Sequence, residues 1–274
     1  MSGLAPEEMS RRDRRGLSMR AVIPNAITTA ALCSGLTGIR FAISGDFEKA
    51  ILAIILAGLL DGIDGRAARL LKAQTRFGAE LDSLADAISF GVAPALIVYL
   101  WTLNHLPSIG WIAALAYAIC CVLRLARFNS RLDMDEQPLK QAGFLTGVPA
   151  PLGAGLAFLP IYLWRATGMN EVFAEPLAVG IWMVLVAVLM ISSLPTMTWT
   201  RLRPSREYQI VVLVIVGLTF AALLTEPWYT LVGISLFYLA LIPFGLLAWG
   251  RIKRQAQTRP APLDTDGTAG PSAA

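Results

Sequence analysis

Four aspartates carry the chemistry that this sequence can do: Asp61, Asp64, Asp82 and Asp86, all set among apolar residues. A charged side chain at the centre of a membrane helix is unfavourable by about 2.5–3.5 kcal/mol on insertion scales, so such residues call for a function. At about 100° per residue, Asp61, Asp64, Gly65, Ala68 and Arg69 fall within a sector of about 140° of one helix. Gly78, Asp82 and Asp86 recur every four residues along one stripe of the next, and Glu80 points away from that stripe. Joined by a short turn, the two helices can face one another. Four uncompensated carboxylates would repel strongly in a low-dielectric site, and two divalent cations would cancel their charge. Ligation by oxygen alone selects Mg²⁺ or Mn²⁺ over zinc or copper. A pair of such ions suits displacement at phosphorus, because it binds both the attacking and the leaving oxygen. Gly65, Ala68 and Gly78 remove bulk from the same face, which leaves space for close helix approach or for a planar ligand. An EF-hand calcium loop does not fit, since the spacing from Asp61 is wrong and Lys72 stands at its twelfth position.

The elements that must position these residues are membrane helices. Of 274 residues, 55% are hydrophobic and 15% charged, and the mean hydropathy is +0.60. A soluble globule of this size needs more polar surface, and collagen-like or disulfide-scaffold chains need more Gly or Cys. Apolar runs at 26–44, 47–71, 77–100, 109–125, 149–164, 176–194, 209–225 and 228–249 predict an all-α, polytopic membrane protein with about eight transmembrane helices. The fifth and seventh runs are short, and Pro94 is expected to kink the third. Twenty of the 23 Lys and Arg residues fall on one side of this parse, only Lys49 and Arg165 on the other, and Arg40 lies within the first run. The positive-inside rule then puts both termini in the cytoplasm, with the motif at the cytoplasmic face of the membrane. The chain divides into a basic segment 1–20, a transmembrane catalytic domain 21–250 and a Pro/Ala/Thr/Gly-rich tail 251–274 expected to be disordered. Cys33, Cys120 and Cys121 read as packing residues, and His105 is the only histidine. A catalytic histidine pair and a Cys/His zinc site are therefore disfavoured. Nucleic acid is not an expected partner.

From Asp61 to Asp86 the residues read D-x2-D-G-x2-A-R-x8-G-x3-D-x3-D, eight fixed positions over 26 residues. This resembles the signature of the CDP-alcohol phosphatidyltransferase family. The resemblance implies that Asp61, Asp64, Asp82 and Asp86 hold two divalent cations, that Asp86 is also the general base, and that Arg69 contacts a pyrophosphate. It implies a cytidine pocket lined by Gly65, Ala68 and Gly78. Pro24-Asn25-Ala26-Ile27-Thr28 is similar to the family's entry into the first span, where Asn25 and Thr28 would face the nucleotide. Eight spans with the motif on the second and third resemble the phosphatidylserine-forming branch. The stretches 89–94, 124–129 and 147–151 agree with it, and the whole likeness covers about 21–155. The substrates implied are CDP-diacylglycerol and L-serine, in a homodimer surrounded by membrane lipid.

Serine brings a carboxylate that needs a cation. Arg124 and Arg127, one turn apart at the cytoplasmic end of the fourth run, offer one, with Asn129 nearby. The same two arginines could instead reach lipid headgroups and set topology. Pyrophosphate binding and acceptor binding are the alternatives for Arg40, within the first run. Glycerol 3-phosphate, inositol phosphate and choline are alternative acceptors. Outside the family, an ion-coupled transporter would spread its carboxylates over several helices near the midplane, whereas here they are confined to one hairpin.

Overall fold

The computed structural model describes residues 19–132, 144–192, 195–197 and 206–257. Helix forms within every apolar run read from the sequence, and the one departure from an all-helical fold among the described residues is a three-residue antiparallel ladder. Helices α1 (Met19–Ile43) and α2 (Phe47–Leu70) pack antiparallel along their length. Ser34 Oγ donates to Ala53 O at 2.7 Å, and Gly38 lies so close that a Cβ there would come within 3.1 Å of Ala50 O. The antiparallel register carries the start of α1 to the end of α2, where the first two aspartates stand.

Between α2 and α3 (Arg76–Asp86) the chain reverses through a Schellman motif. Ala73 N donates to Ala68 O and Lys72 N to Arg69 O, with Lys72 at φ +49° in the left-handed position that Gly usually takes. Thr75 then caps α3, its Oγ1 accepting from Gly78 N at 3.0 Å. Helix α3 runs through a π-helical turn (Ala87–Val92) into α4 (Ala93–Trp101), so the distortion expected at Pro94 begins one turn before it. Pro94 cannot donate to Phe90 O, and the Tyr117 hydroxyl donates there instead, at 2.9 Å.

Tyr117 lies on α5 (Ile109–Leu132), which packs on α9 (Pro176–Ile191) to form the centre of the molecule. The run at 149–164, expected as one short span, is two helices, α6 (Ala150–Ala157) and α7 (Leu159–Thr167), broken at Phe158. The break has the same cause as at Pro94: Pro160 has no N–H for Leu156 O, and Trp182 Nε1 on α9 donates to that carbonyl at 2.8 Å. Both prolines thus free a carbonyl in the apolar interior, and an aromatic donor from a neighbouring helix satisfies it. After the short α8 (Asn170–Phe173) and α9, strand β2 (Pro195–Met197) pairs with β1 (Phe144–Thr146), and α10 (Arg206–Thr225) and α11 (Pro227–Gln257) complete the described chain. Gly147 turns the chain from β1 towards α6 at φ +74°, where a Cβ would meet Met190 O at 2.5 Å.

Three helical stretches among the described residues are long and apolar enough to cross a bilayer: Arg20–Ile43, Arg76–Trp101 and Ile109–Ser130. Helix α2 is of similar length but carries Asp61, Asp64 and Arg66 near its end. Pro176–Ile191, Ile210–Thr225 and Pro227–Pro243 are shorter apolar helices. Outward-facing Leu59, Ile112, Ile181, Leu213 and Phe220 are all more than half exposed, a surface suited to lipid rather than water. The chain is an integral membrane protein. Its helices overrun the apolar runs: α1 starts at Met19, α5 reaches Leu132 and α11 reaches Gln257, so the first seven residues of the expected disordered tail are helical. Segments 1–18 and 258–274, and most of the loop 130–141, lie outside the described residues.

Candidate active site

The site is built where three helices meet at one end of the bundle. Asp61 and Asp64 come from the last turns of α2, and Asp82 and Asp86 from α3, with the Schellman turn and the Thr75 cap fixing how the second helix leaves the first. One oxygen from each of Asp61, Asp64 and Asp82 lies within 4.8 Å of the others. Asp86 stands beside Asp61, with the two carboxyl groups in hydrogen-bonding reach. Asp64 is the most enclosed, 3% exposed, and accepts from Thr28 Oγ1 at 2.6 Å. None of the four makes an ion pair with a described residue. A compact, oxygen-only donor set without an ion-pair partner among the described residues fits a divalent metal ion better than it fits an unligated packing role.

Around this cluster the other expected site residues take distinct positions. Gly65 faces open space, with nothing within 4 Å of where its Cβ would be, and Ala68 is half-buried one turn on. Gly78 instead backs against α1, where a Cβ would come within 2.9 Å of Asn25 Oδ1. Asn25 Nδ2 is buried without a hydrogen-bond partner, a donor free for a ligand. Thr28 is 4% exposed and turned to Asp64 rather than to an open nucleotide space. Arg69 is exposed and lines an open pocket with Arg66 and Leu70. Glu80 is exposed, as its position off the stripe requires.

The three residues at the end of α5 differ among themselves. Arg124 is half-buried and within electrostatic range of Asp86. Arg127 Nη1 donates to Ile191 O at 3.2 Å, and Asn129 Nδ2 donates to Ser83 Oγ at 2.8 Å, tying α5 to α9 and α3. Arg40 is exposed in the last turn of α1, fifteen residues and so about 22 Å of helix from Asn25. It stands at the opposite end from the aspartates.

Two contributors escape the sequence reading. Thr75 had a usable signal, a capping residue three positions before the N–H it accepts from. Tyr238, on α11, lies within electrostatic range of Arg124 although it comes from the far end of the chain. It lies in an apolar run with no local mark.

The model of the CDP-alcohol phosphatidyltransferase family matches residues 21–199, and that of CDP-alcohol phosphatidyltransferase 2 matches 207–243. The chain is 38% identical over 239 residues to a CDP-diacylglycerol–serine O-phosphatidyltransferase of Mycobacterium leprae, covering 86% of this chain and 77% of that one. It is 32% identical over 228 residues to a protein of that name from Helicobacter pylori, covering 83% and 91%. An archaetidylserine synthase of Methanothermobacter thermautotrophicus is 32% identical over 174 residues, 63% of this chain and 68% of the relative.

Proposed function

The chain belongs to the CDP-alcohol phosphatidyltransferase family, and from that premise we propose that it transfers the phosphatidyl group of CDP-diacylglycerol to the hydroxyl of L-serine, forming phosphatidylserine and CMP. The observation that carries this reading is the convergence of the motif carboxylates at one helix-bundle end with no ion pair to any described residue. The choice of serine rests on the relatives, whose names share that acceptor while their lipids differ.

In this reading Asp61, Asp64, Asp82 and Asp86 would hold two divalent cations, Mg²⁺ or Mn²⁺. When bound, these ions neutralise the carboxylates and stabilise charge building on the phosphates. Asn25, Gly65, Ala68, Arg69 and Gly78 receive the CDP moiety, and Thr28 steadies Asp64. The serine hydroxyl oxygen attacks the lipid-side phosphorus, Asp86 takes its proton, and the bond from that phosphorus to the bridging oxygen breaks, so that CMP leaves with the electron pair. A carboxylate is a weak base, so alignment and electrostatic stabilisation contribute most of the barrier lowering. Arg124 faces the acceptor, on a helix end that Arg127 and Asn129 fasten to α9 and α3. The apolar runs make eight spans with both termini and the site on the cytoplasmic face of a bacterial inner membrane, in a homodimer.

The test is CMP release by the purified protein from CDP-diacylglycerol with serine, glycerol 3-phosphate, inositol phosphate or choline, with and without EDTA. Release is expected with serine alone, lost in EDTA and restored by Mg²⁺ or Mn²⁺. Release with another acceptor in place of serine removes the serine assignment, and release with none removes the transferase assignment.

A further inference from the structure

Of the three side chains expected to receive the acceptor, two are engaged inside the fold. Arg127 donates to Ile191 O and Asn129 to Ser83 Oγ. Arg124 is different: its Nε is buried and has no hydrogen-bond partner. The hydroxyl of Tyr238, on α11, is likewise buried and unpartnered. The two groups belong to helices more than a hundred residues apart in sequence, yet they lie within electrostatic range of one another, and Arg124 is also within range of Asp86. Buried donors without acceptors are unfavourable in an apolar interior, and this pair does not satisfy itself. An acceptor from outside would satisfy both.

We propose that Arg124 and Tyr238 together seat the carboxylate of the amino-acid acceptor, with Tyr238 a specificity-determining residue supplied by α11. This rests on the serine reading above and names how that substrate is recognised. The chemistry is complementary: a carboxylate only accepts hydrogen bonds, a guanidinium N–H and a phenol O–H donate them, and the arginine matches the charge. Position also agrees. In serine only Cα and Cβ separate the carboxylate carbon from the hydroxyl oxygen, so the seat for one end must lie near the base that serves the other, and Arg124 lies within electrostatic range of Asp86. Choline lacks a carboxylate. Phosphorylated acceptors carry more negative charge than one arginine balances. Helix α11 packs on α7 and on β2, so the tyrosine is delivered by the scaffold rather than by a loop.

The test compares wild type with Tyr238→Phe, which removes the hydroxyl alone, using L-serine and serinol, in which a hydroxymethyl group replaces the carboxylate. Tyr238→Phe is expected to raise KM for serine on the order of tenfold, the loss of one hydrogen bond to a charged group. KM for CDP-diacylglycerol should stay within about twofold, a factor well below that single bond. Serinol should be a poor acceptor for both proteins, and the substitution should weaken it far less than it weakens serine. Arg124→Lys, which keeps the charge and loses Nε–H, should reproduce the selective loss. Thermal stabilisation of each protein by serine in the presence of CMP reads binding without turnover and should fall in step. An unchanged KM for serine in Tyr238→Phe, or an equal loss with serine and serinol, overturns the seat. If wild type itself releases no CMP with serine, it is the proposed reaction that fails, and the two failures are therefore distinct.

Discussion

The two ends of the helix bundle treat their carboxylates in opposite ways. At the α1–α2 turn Asp46 accepts from Lys49 Nζ at 2.5 Å, and Glu48 pairs with Arg165. The Arg165 guanidinium is also 5.4 Å from the ring of Trp164 and 5.7 Å from that of Trp228. The hydrogen bond from Lys49 holds the Asp46 carboxyl below its ordinary 3.8. At the other end Asp61, Asp64 and Asp82 crowd within 4.8 Å with Asp86 alongside, and among the described residues their hydrogen-bond donor from another helix is the neutral hydroxyl of Thr28. Paired charges need no further explanation, whereas crowded unpaired ones in a protein interior point to cations that come from solution. The contrast separates charges that fasten helices from charges that, in the function proposed above, serve a substrate.

Breaking the unpaired end should have the largest effect. Asp86→Asn keeps the shape and removes the proposed proton acceptor, so CMP release should fall by about 10²–10⁴ while thermal stability in detergent is retained. Wild-type turnover in that variant would erase the distinction between the two ends. Thr28→Val leaves the charge of Asp64 and deletes its donor. About tenfold more Mg²⁺ should then be needed for half-maximal rate, in line with one charge-assisted hydrogen bond, and an unaltered metal requirement would detach Thr28 from the site.

Breaking the paired end should touch stability only. Arg165→Gln removes a half-exposed ion pair and two ring contacts, for about 1 kcal/mol, seen as a lower Tm with KM for serine unchanged. Lys49→Ala should have the smallest effect, and it should depend on pH. Because the folded pKa of Asp46 is depressed, its pairing contributes stability above the ordinary 3.8 and loses it as pH falls through the folded value. The Tm difference between wild type and Lys49→Ala should accordingly be present at neutral pH and vanish in acid. A difference that persists in acid would mean that Lys49 stabilises by some route other than Asp46.

Much of the site can be read along the chain. The aspartate stripes follow from i, i+3 and i, i+4 spacing, and α2 and α3 place them as that spacing requires. Helix limits are less legible, because an apolar run marks contact with lipid, whereas a helix continues wherever its backbone hydrogen bonds do. That is why α5 runs past residue 125 to Leu132 and puts Arg124, Arg127 and Asn129 on one helix. The ladder between β1 and β2 spans three residues on each strand, too short for an alternating pattern to register. The break at Phe158 was marked by Pro160, but the donor that makes it tolerable, Trp182, is on another helix.

By itself the sequence determined that the chain is helical and membrane-embedded, and that two of its consecutive helices each carry a stripe of carboxylates. Those are consequences of composition and of a 3.6-residue period, which act over a few positions at a time. Only the tertiary structure decided that Thr28 meets Asp64, that Gly78 makes way for Asn25, that Arg127 and Asn129 are used as ties, and that Tyr238 comes to Arg124. The rotation of each helix about its axis, and the choice of its neighbours, come from side-chain packing summed over whole interfaces, and no local period encodes that sum.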